Sequence, residues 1–470
     1  MNLFSTIIKN SSFLFFARVA NPAVTVVIGL YIAKTLGVEY FGQFSFVLSY
    51  FFLISMVFSL GLGTIVSRDT AKSPEEVGLY FSNASLIGIV SGAAGIILML
   101  LTASLFNLSG EGISALYIIS LAIFPSILIY IWESLIITFE KNHYIVAVQS
   151  VESLIKIVLG FFFLYKGYGL AALMGVFLFS RVAGGVIYYF ALARIFRPMA
   201  LKIDMRAVRK IVMMVPAFAG LYVFSVLFSK LDIMMIALMK DYNDVGIYSA
   251  AYKLLEISFM LPTCVIAVFF PVLSRYSKES RRDFMNISTK GIFYSVAVLF
   301  PAVIVLIYFG DSIIYTLYSR EFTGSILSFQ ILIVTLGFYM IDQIFAHSLV
   351  ACDLQNLNLK AVVSGTVINI VLNLMLIPRY SYIGASVATL VSMAAVTAIH
   401  YYFVSRHLYR FNFAKMTLAI SIAIFFFGVL YLIRSIPLII LLPLAVITYT
   451  FLVIAIKFYF SRCGPVCAAR

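Results

Sequence analysis

Charge is scarce in this chain. Asp, Glu, Lys and Arg make up 11% of its 470 residues, where a soluble domain carries about 25%. That scarcity excludes an ordinary water-soluble fold. Long polar connections are missing too. The longest, around Arg194–Lys210 and Arg275–Lys290, run about 15 residues, too short for a folded domain. This argues against a catalytic domain hung on a membrane anchor. No phosphate-cradling P-loop occurs, so ATP hydrolysis is not expected. The four histidines, His143, His347, His400 and His407, lack metal-ligand spacing, and no metal site is expected. Of the four cysteines, Cys264 and Cys352 lie in or beside apolar segments. Cys463 and Cys467 stand one residue further apart than a redox CxxC, without other ligands nearby.

Apolar residues fill the space that charge leaves, at 63% of the chain. A membrane span needs about 20 of them in succession. Fourteen segments qualify, at 12–33, 41–66, 78–106, 114–139, 145–165, 168–193, 211–238, 245–274, 291–309, 325–350, 359–377, 383–404, 415–433 and 436–456. The first is too long for a signal-peptide core and has no small-residue cleavage pattern after it. The pattern predicts an all-α polytopic membrane protein of about 14 transmembrane helices, with twelve left open as an alternative. The net charge of +14 does not point to nucleic acid. Connections on one side, with both termini, hold most of the Lys and Arg. The opposite side holds only Lys34, Lys166, Lys240, Arg320, Arg379 and Arg434. By the positive-inside rule both termini are cytoplasmic. The basic connections after spans 6 and 8 are also placed to touch anionic membrane lipids.

A weak internal repeat organises the spans. A shift of 204 lays Phe41-Gly42-Gln43-Phe44-Ser45 on Val245-Gly246-Ile247-Tyr248-Ser249. A second echo matches Tyr168-Gly169-Leu170-Ala171-Ala172 with Tyr382-Ile383-Gly384-Ala385-Ser386. Six spans separate the partners, so the repeats are parallel. The expected architecture is two six-helix bundles, residues 1–200 and 201–410, around a central cavity. Two further helices and a short cytoplasmic tail fill 411–470.

Ten ionisable residues lie inside the spans: Arg18, Lys156, Arg181, Lys230 and Lys253, with Glu133, Glu152, Asp232, Glu256 and Asp342. Each costs roughly 2.5–3.5 kcal/mol at a helix centre, so pairing or hydration must shelter them. Arg18, Asn21 and Thr25 share one face of span 1. Tyr222, Ser225, Ser229 and Asp232 share a face of span 7, in register under the same shift. These stripes either line a cleft or make ordinary interhelical hydrogen bonds. Gln149, Glu152 and Lys156 share a face of span 5, the last two as an i, i+4 pair. Lys253 and Glu256 form a second local pair. Arg18 and Arg181 have no acidic partner in their own spans, which makes them candidates for holding an anion. Glu133 and Asp342 are candidates for ion coupling or for structural bonds. His347 lies five residues beyond Asp342, on a different face, and forms no obvious relay with it.

Three segments carry a family resemblance: Leu36-Gly37-Val38-Glu39-Tyr40-Phe41-Gly42-Gln43-Phe44-Ser45, then Gly61-Leu62-Gly63 leading to Ser67-Arg68, and Ala251-Tyr252-Lys253-Leu254-Leu255-Glu256 leading to Phe270-Pro271-Val272-Leu273-Ser274-Arg275. Over most of residues 1–410 the chain resembles the Wzx-type lipid-linked oligosaccharide (O-antigen) flippases. These form the polysaccharide biosynthesis branch of the multidrug/oligosaccharidyl-lipid/polysaccharide (MOP) exporter superfamily. The resemblance implies a multi-pass protein of the bacterial inner membrane and no enzyme. It implies alternating-access transfer of a polyprenyl-diphosphate-linked oligosaccharide for O-antigen, hence lipopolysaccharide, or a related surface polysaccharide. Arg18, Asn21, Thr25, Lys156, Arg181, Lys230 and Lys253 are then the substrate-binding candidates, because a diphosphate needs cationic partners. Glu133, Glu152, Asp232, Glu256 and Asp342 are the coupling or charge-pair candidates. No cofactor is implied, coupling to a proton or sodium gradient stays open, and other polysaccharide assembly proteins are candidate partners. Two alternatives remain. A cation-coupled multidrug exporter of the same superfamily would favour acidic cavities. A sugar-repeat polymerase would show a large outward loop with clustered Arg or His.

Overall fold

The structure, a computed structural model, describes residues 21–196 and 203–411, apart from the side chains at 217, 218, 221, 297, 298 and 301. The expected spans 415–433 and 436–456, Arg18, and the Cys463 and Cys467 tail lie outside the described residues.

Among the described residues the architecture is helical throughout. A first helix, α1, covers 21–35. It turns at Gly37, whose φ of 85° lies in the left-handed region that glycine adopts without a Cβ penalty. Next come α2 (Gly37–Phe58), α3 (Leu62–Lys72), α4 (Val77–Thr102), α5 (Gly110–Ser120), α6 (Ile123–Thr138), α7 (His143–Tyr165) and α8 (Gly169–Ile195). After the second basic stretch come α9 (Met205–Met239), α10 (Tyr242–Ser258), α11 (Met260–Glu279), α12 (Arg281–Tyr308), α13 (Gly310–Leu317), α14 (Ser325–Ala351) and α15 (Gln355–His407). Nine helical runs among the described residues are long and apolar enough to cross a membrane. The run α15 holds two expected spans, broken at Ser381 (φ 49°) just after Pro378. Expected spans 2, 4 and 8 are each interrupted, by the left-handed Gly61, at Leu121–Ala122 and at Phe259.

Burial runs opposite to that of a soluble protein. Leu101, Phe190 and Val268 are exposed, while Asn83, Ser180, Asn369 and Asn373 are fully buried. Lipid accepts the apolar faces, and the polar groups must satisfy one another inside. The chain is a multi-pass membrane protein.

By contact the helices fall into two units. The first takes the described residues of Met1–Leu254, with Ser312–Ser328 and Leu359–Ser392; the second takes those of Leu255–Asp311, Phe329–Asn358 and Met393–Arg470.

Inside the first unit the internal repeat has a direct structural counterpart. Helices α2 and α10 cross with their backbones touching. A Cβ added at Gly42 would run into the Tyr242 carbonyl, and one added at Gly246 would run into the Val38 carbonyl. Val38 and Gly42 correspond to Tyr242 and Gly246 under the 204 shift, so the contact is reciprocal, as across a two-fold axis. Flanking contacts repeat as well. Gln43 accepts from the Ser109 hydroxyl at 2.6 Å, and its equivalent Ile247 accepts through its carbonyl from Ser325 at 2.7 Å. Tyr40 bonds the Leu170 amide at 2.7 Å, and its equivalent Asp244 bonds Ser381. Each repeat thus pins its own later turn.

The reciprocity predicts matched effects. Gly42→Ala and Gly246→Ala are each expected to cost about 1–3 kcal/mol by forcing the helices apart. The double variant should cost less than the sum, because the first methyl opens the space for the second. Thermal unfolding of the four proteins in nanodiscs checks this; a neutral effect at either glycine would contradict the close crossing.

Candidate functional site

A cluster of charge is built from three helices of the first unit. On α7, Glu152 and Lys156 stand one turn apart on a common face. On α8, Phe177, Arg181 and Gly184 occupy one face at i, i+4 and i+7. Gly184 is required there, because a Cβ at that position would collide with the Glu152 carboxylate. Helix α1 contributes Asn21, near the start of the described chain.

Glu152 is the hub, with its side chain 1% exposed. It accepts from Asn21 Nδ2 at 2.9 Å and from an Arg181 guanidinium nitrogen at 3.3 Å. The Lys156 ammonium stands 4.0 Å from it and donates to Asn21 Oδ1 at 2.7 Å. Lys156 also lies over the Phe177 ring, 5.1 Å from its centroid. One carboxylate therefore serves two cations. Lys156 is 4% exposed, whereas Arg181 is 32% exposed, so Arg181 is the member that reaches outward. Two further polar atoms on these helices, Gln149 Oε1 and Tyr188 Oη, are buried without a hydrogen-bond partner among the described residues.

The structure thus joins four of the expected residues: Asn21, Glu152, Lys156 and Arg181. Arg181, without a partner in its own span, finds one across helices. Thr25 bonds the Asn21 carbonyl of its own helix at 3.3 Å. Lys230 is buried between the faces of Phe52 and Tyr252, 5.6 Å from each centroid. Glu133 on α6 and Lys253 and Glu256 on α10 are half-buried.

Asp232 occupies a neutral setting. It is 1% exposed and accepts from Tyr248 at 2.7 Å and from Thr389 and Asn373 at 2.6 Å each. Asn373 also donates to Asn369 at 3.0 Å, while Asn373 Oδ1 has no hydrogen-bond partner among the described residues. Asp232 is thus held by one amide N–H and two O–H donors, and its carboxylate, with the side-chain oxygens of Thr389 and Asn369 nearby, offers the oxygen ligands that a small hard cation takes. Among the described residues no group of three or more His, Cys, Asp or Glu could hold a metal ion.

Outside the spans, Asp69 accepts from Arg68 at 2.6 Å and from Tyr80 at 2.8 Å, and Lys210 donates to Tyr80 at 3.0 Å. Burial pushes the Asp69 carboxyl upward. Hydrogen bonds from Arg68 and Tyr80 and the charges of Arg68 and Lys210 outweigh it and hold the group below its usual range.

Sequence reasoning missed several partners. Asn369, Asn373 and Thr389 drew no notice, although an i, i+4 asparagine pair in an apolar span is a visible signal. His400, noted in the sequence only as a histidine without metal-ligand spacing, is bonded to Asp342 in the second unit at 2.6 Å.

The model of the family described as polysaccharide biosynthesis protein matches residues 7–277. Among curated relatives, the "probable low-salt glycan biosynthesis flippase Agl15" of Haloferax volcanii is 27% identical over 184 residues, 38% of either chain. The capsular polysaccharide biosynthesis protein CapF of Staphylococcus aureus is 25% identical over 167 residues, 34% of this chain and 41% of that one. The matches span about two fifths of those relatives' lengths. Among solved structures, the lipid II flippase MurJ in an inward closed conformation superposes with a TM-score of 0.80 at 18% identity, covering 97% of this chain and all of that one. An inward-facing multidrug resistance MATE family transporter of the MOP superfamily gives 0.69 at 15% identity, covering 82% of this chain and 95% of that one. At such identities the likeness is one of fold.

Proposed function

Because the chain belongs to the polysaccharide biosynthesis protein family, we propose that it is a flippase for polyprenyl-diphosphate-linked oligosaccharides. The observation that carries this reading is the charge balance at Glu152, one buried carboxylate shared by Lys156 and Arg181. The Arg181 guanidinium, which reaches outward from the cluster, suits a diphosphate. It disfavours the cationic substrates of a drug exporter. The relatives' names, a glycan biosynthesis flippase and a capsular polysaccharide protein, point the same way.

In this reading the protein is a transporter of the bacterial inner membrane with cytoplasmic termini, and not an enzyme. The head group crosses by alternating access while the lipid tail stays in the bilayer. The product is O-antigen or a related surface polysaccharide, and other polysaccharide assembly proteins act before and after it. Transfer is coupled to a sodium or proton gradient at Asp232, a buried carboxylate beside the Thr389 and Tyr248 hydroxyls and the Asn373 amide.

Proteoliposomes carrying a fluorescent polyprenyl-diphosphate oligosaccharide test this. Wild-type protein should transfer the label between leaflets and respond to an imposed cation gradient. Asp232→Asn should abolish that response and slow transfer at least tenfold, about 1.4 kcal/mol in the barrier. No transfer by wild-type protein would remove the flippase reading. A gradient response surviving Asp232→Asn would remove Asp232 from coupling.

A further inference from the structure

The second unit holds a buried titratable group that the flippase reading does not use. His400, on the second half of α15, places both ring nitrogens against oxygen. Nδ1 lies 2.6 Å from Asp342 Oδ1 on α14, and Nε2 lies 3.0 Å from Asn358 Oδ1 on the first half of α15. The His400 and Asp342 side chains are 1% and 7% exposed, and Asn358 is 8% exposed. Neither His400 nor Asp342 has another ionic partner among the described residues. Also facing the pair is Tyr339, one turn before Asp342, with its ring on Phe259 at the start of α11.

A neutral imidazole carries one N–H. It cannot donate to a carboxylate and an amide oxygen together. With Asn358 Oδ1 turned to Nε2, both contacts are hydrogen bonds when the pair holds one proton more than a neutral imidazole beside a carboxylate; with Nδ2 turned there, no extra proton is needed. That proton makes either an imidazolium with a carboxylate or an imidazole with a carboxylic acid, and both have zero net charge. Losing it leaves a buried net charge of minus one, which is costly among apolar helices. The deprotonated pair is accommodated only when water reaches it and Asn358 turns its amide to donate to Nε2.

We propose that Asp342 and His400 form a proton-binding site, with Asn358 following its occupancy by the end of its amide that it presents. Uptake adds one proton from water to the pair, and release returns it to water; no other bond changes. Because the proton neutralises the pair, it favours closed, dry packing around Asp342, His400 and Asn358 within the second unit. Deprotonation favours a hydrated arrangement.

The site can be read without substrate, so its test stands apart from the flippase reading. Full-length protein labelled with 15N-histidine is placed in nanodiscs and titrated between about pH 4 and 9. His400→Gln assigns the His400 signals. The expected result is one titration step for His400, whose midpoint moves at least tenfold in proton concentration in Asp342→Asn. Asn358→Leu, which removes the acceptor at Nε2 and leaves the charged pair intact, should move it at least threefold. His400 signals that stay fixed across the range, or a midpoint unmoved by Asp342→Asn or by Asn358→Leu, would overturn the proposal.

Discussion

Glu152→Gln is expected to destabilise the folded protein by about 3–5 kcal/mol. That is a large share of a typical net stability of about 5–15 kcal/mol. The substitution keeps the side chain's volume and removes its charge. Lys156, 4% exposed, would keep only Asn21 Oδ1 and the Phe177 ring as partners. Arg181 would lose its carboxylate. The cost comes from leaving a buried ammonium uncompensated. Adding Lys156→Met should therefore recover most of the loss, because the second change removes the stranded charge and keeps the aliphatic stem. Thermal unfolding in nanodiscs, with the amount of protein in membranes, measures both. A Glu152→Gln protein as stable as wild type would show that Glu152 is not the counter-ion holding α1, α7 and α8 together.

Arg181→Ala should behave oppositely, leaving stability near wild type and lowering oligosaccharide transfer at least tenfold. Without Arg181 the cluster still balances, since Glu152 keeps Lys156 and Asn21. Arg181 is also about a third exposed, so its pairing is worth less than that of Lys156. What disappears is the outward-reaching guanidinium. Arg181→Lys should restore charge without the planar fork and recover transfer in part. The assay is labelled lipid transfer in proteoliposomes, normalised to folded protein. Wild-type transfer by Arg181→Ala would show that this arginine does not hold the head group. Arg18→Ala is expected to impair transfer in the same way, on the strength of its place in the sequence alone.

The features legible in the sequence were those carried by short-range pattern. The pair Glu152 and Lys156 was visible because one helical turn fixes their spacing. Gly42 and Gly246 were visible as a repeat, though not as residues that touch each other. Partnerships between distant residues stayed hidden. Asp232 is held by Asn373 and Thr389, which lie 141 and 157 residues further on. His400 meets Asp342 from 58 residues away. Helical periodicity shows which face a residue occupies but not which neighbour that face meets. For that reason Arg181 looked unpaired from its own span, and His400 was not linked to Asp342. The interruptions of spans 2 and 8 were hidden for a different reason. Apolar composition continues across Gly61 and Phe259, and a hydropathy reading follows composition rather than backbone angles.

Deleting the gene decides whether this protein reorients lipid-linked oligosaccharide. The polyprenyl-diphosphate-linked repeat units are then located by their accessibility to a membrane-impermeant sugar-modifying reagent. The expected result is accumulation on the cytoplasmic side with loss of surface polysaccharide, reversed by wild-type protein and not by Arg181→Ala. Normal surface polysaccharide, with no accumulation of lipid-linked units, would contradict it.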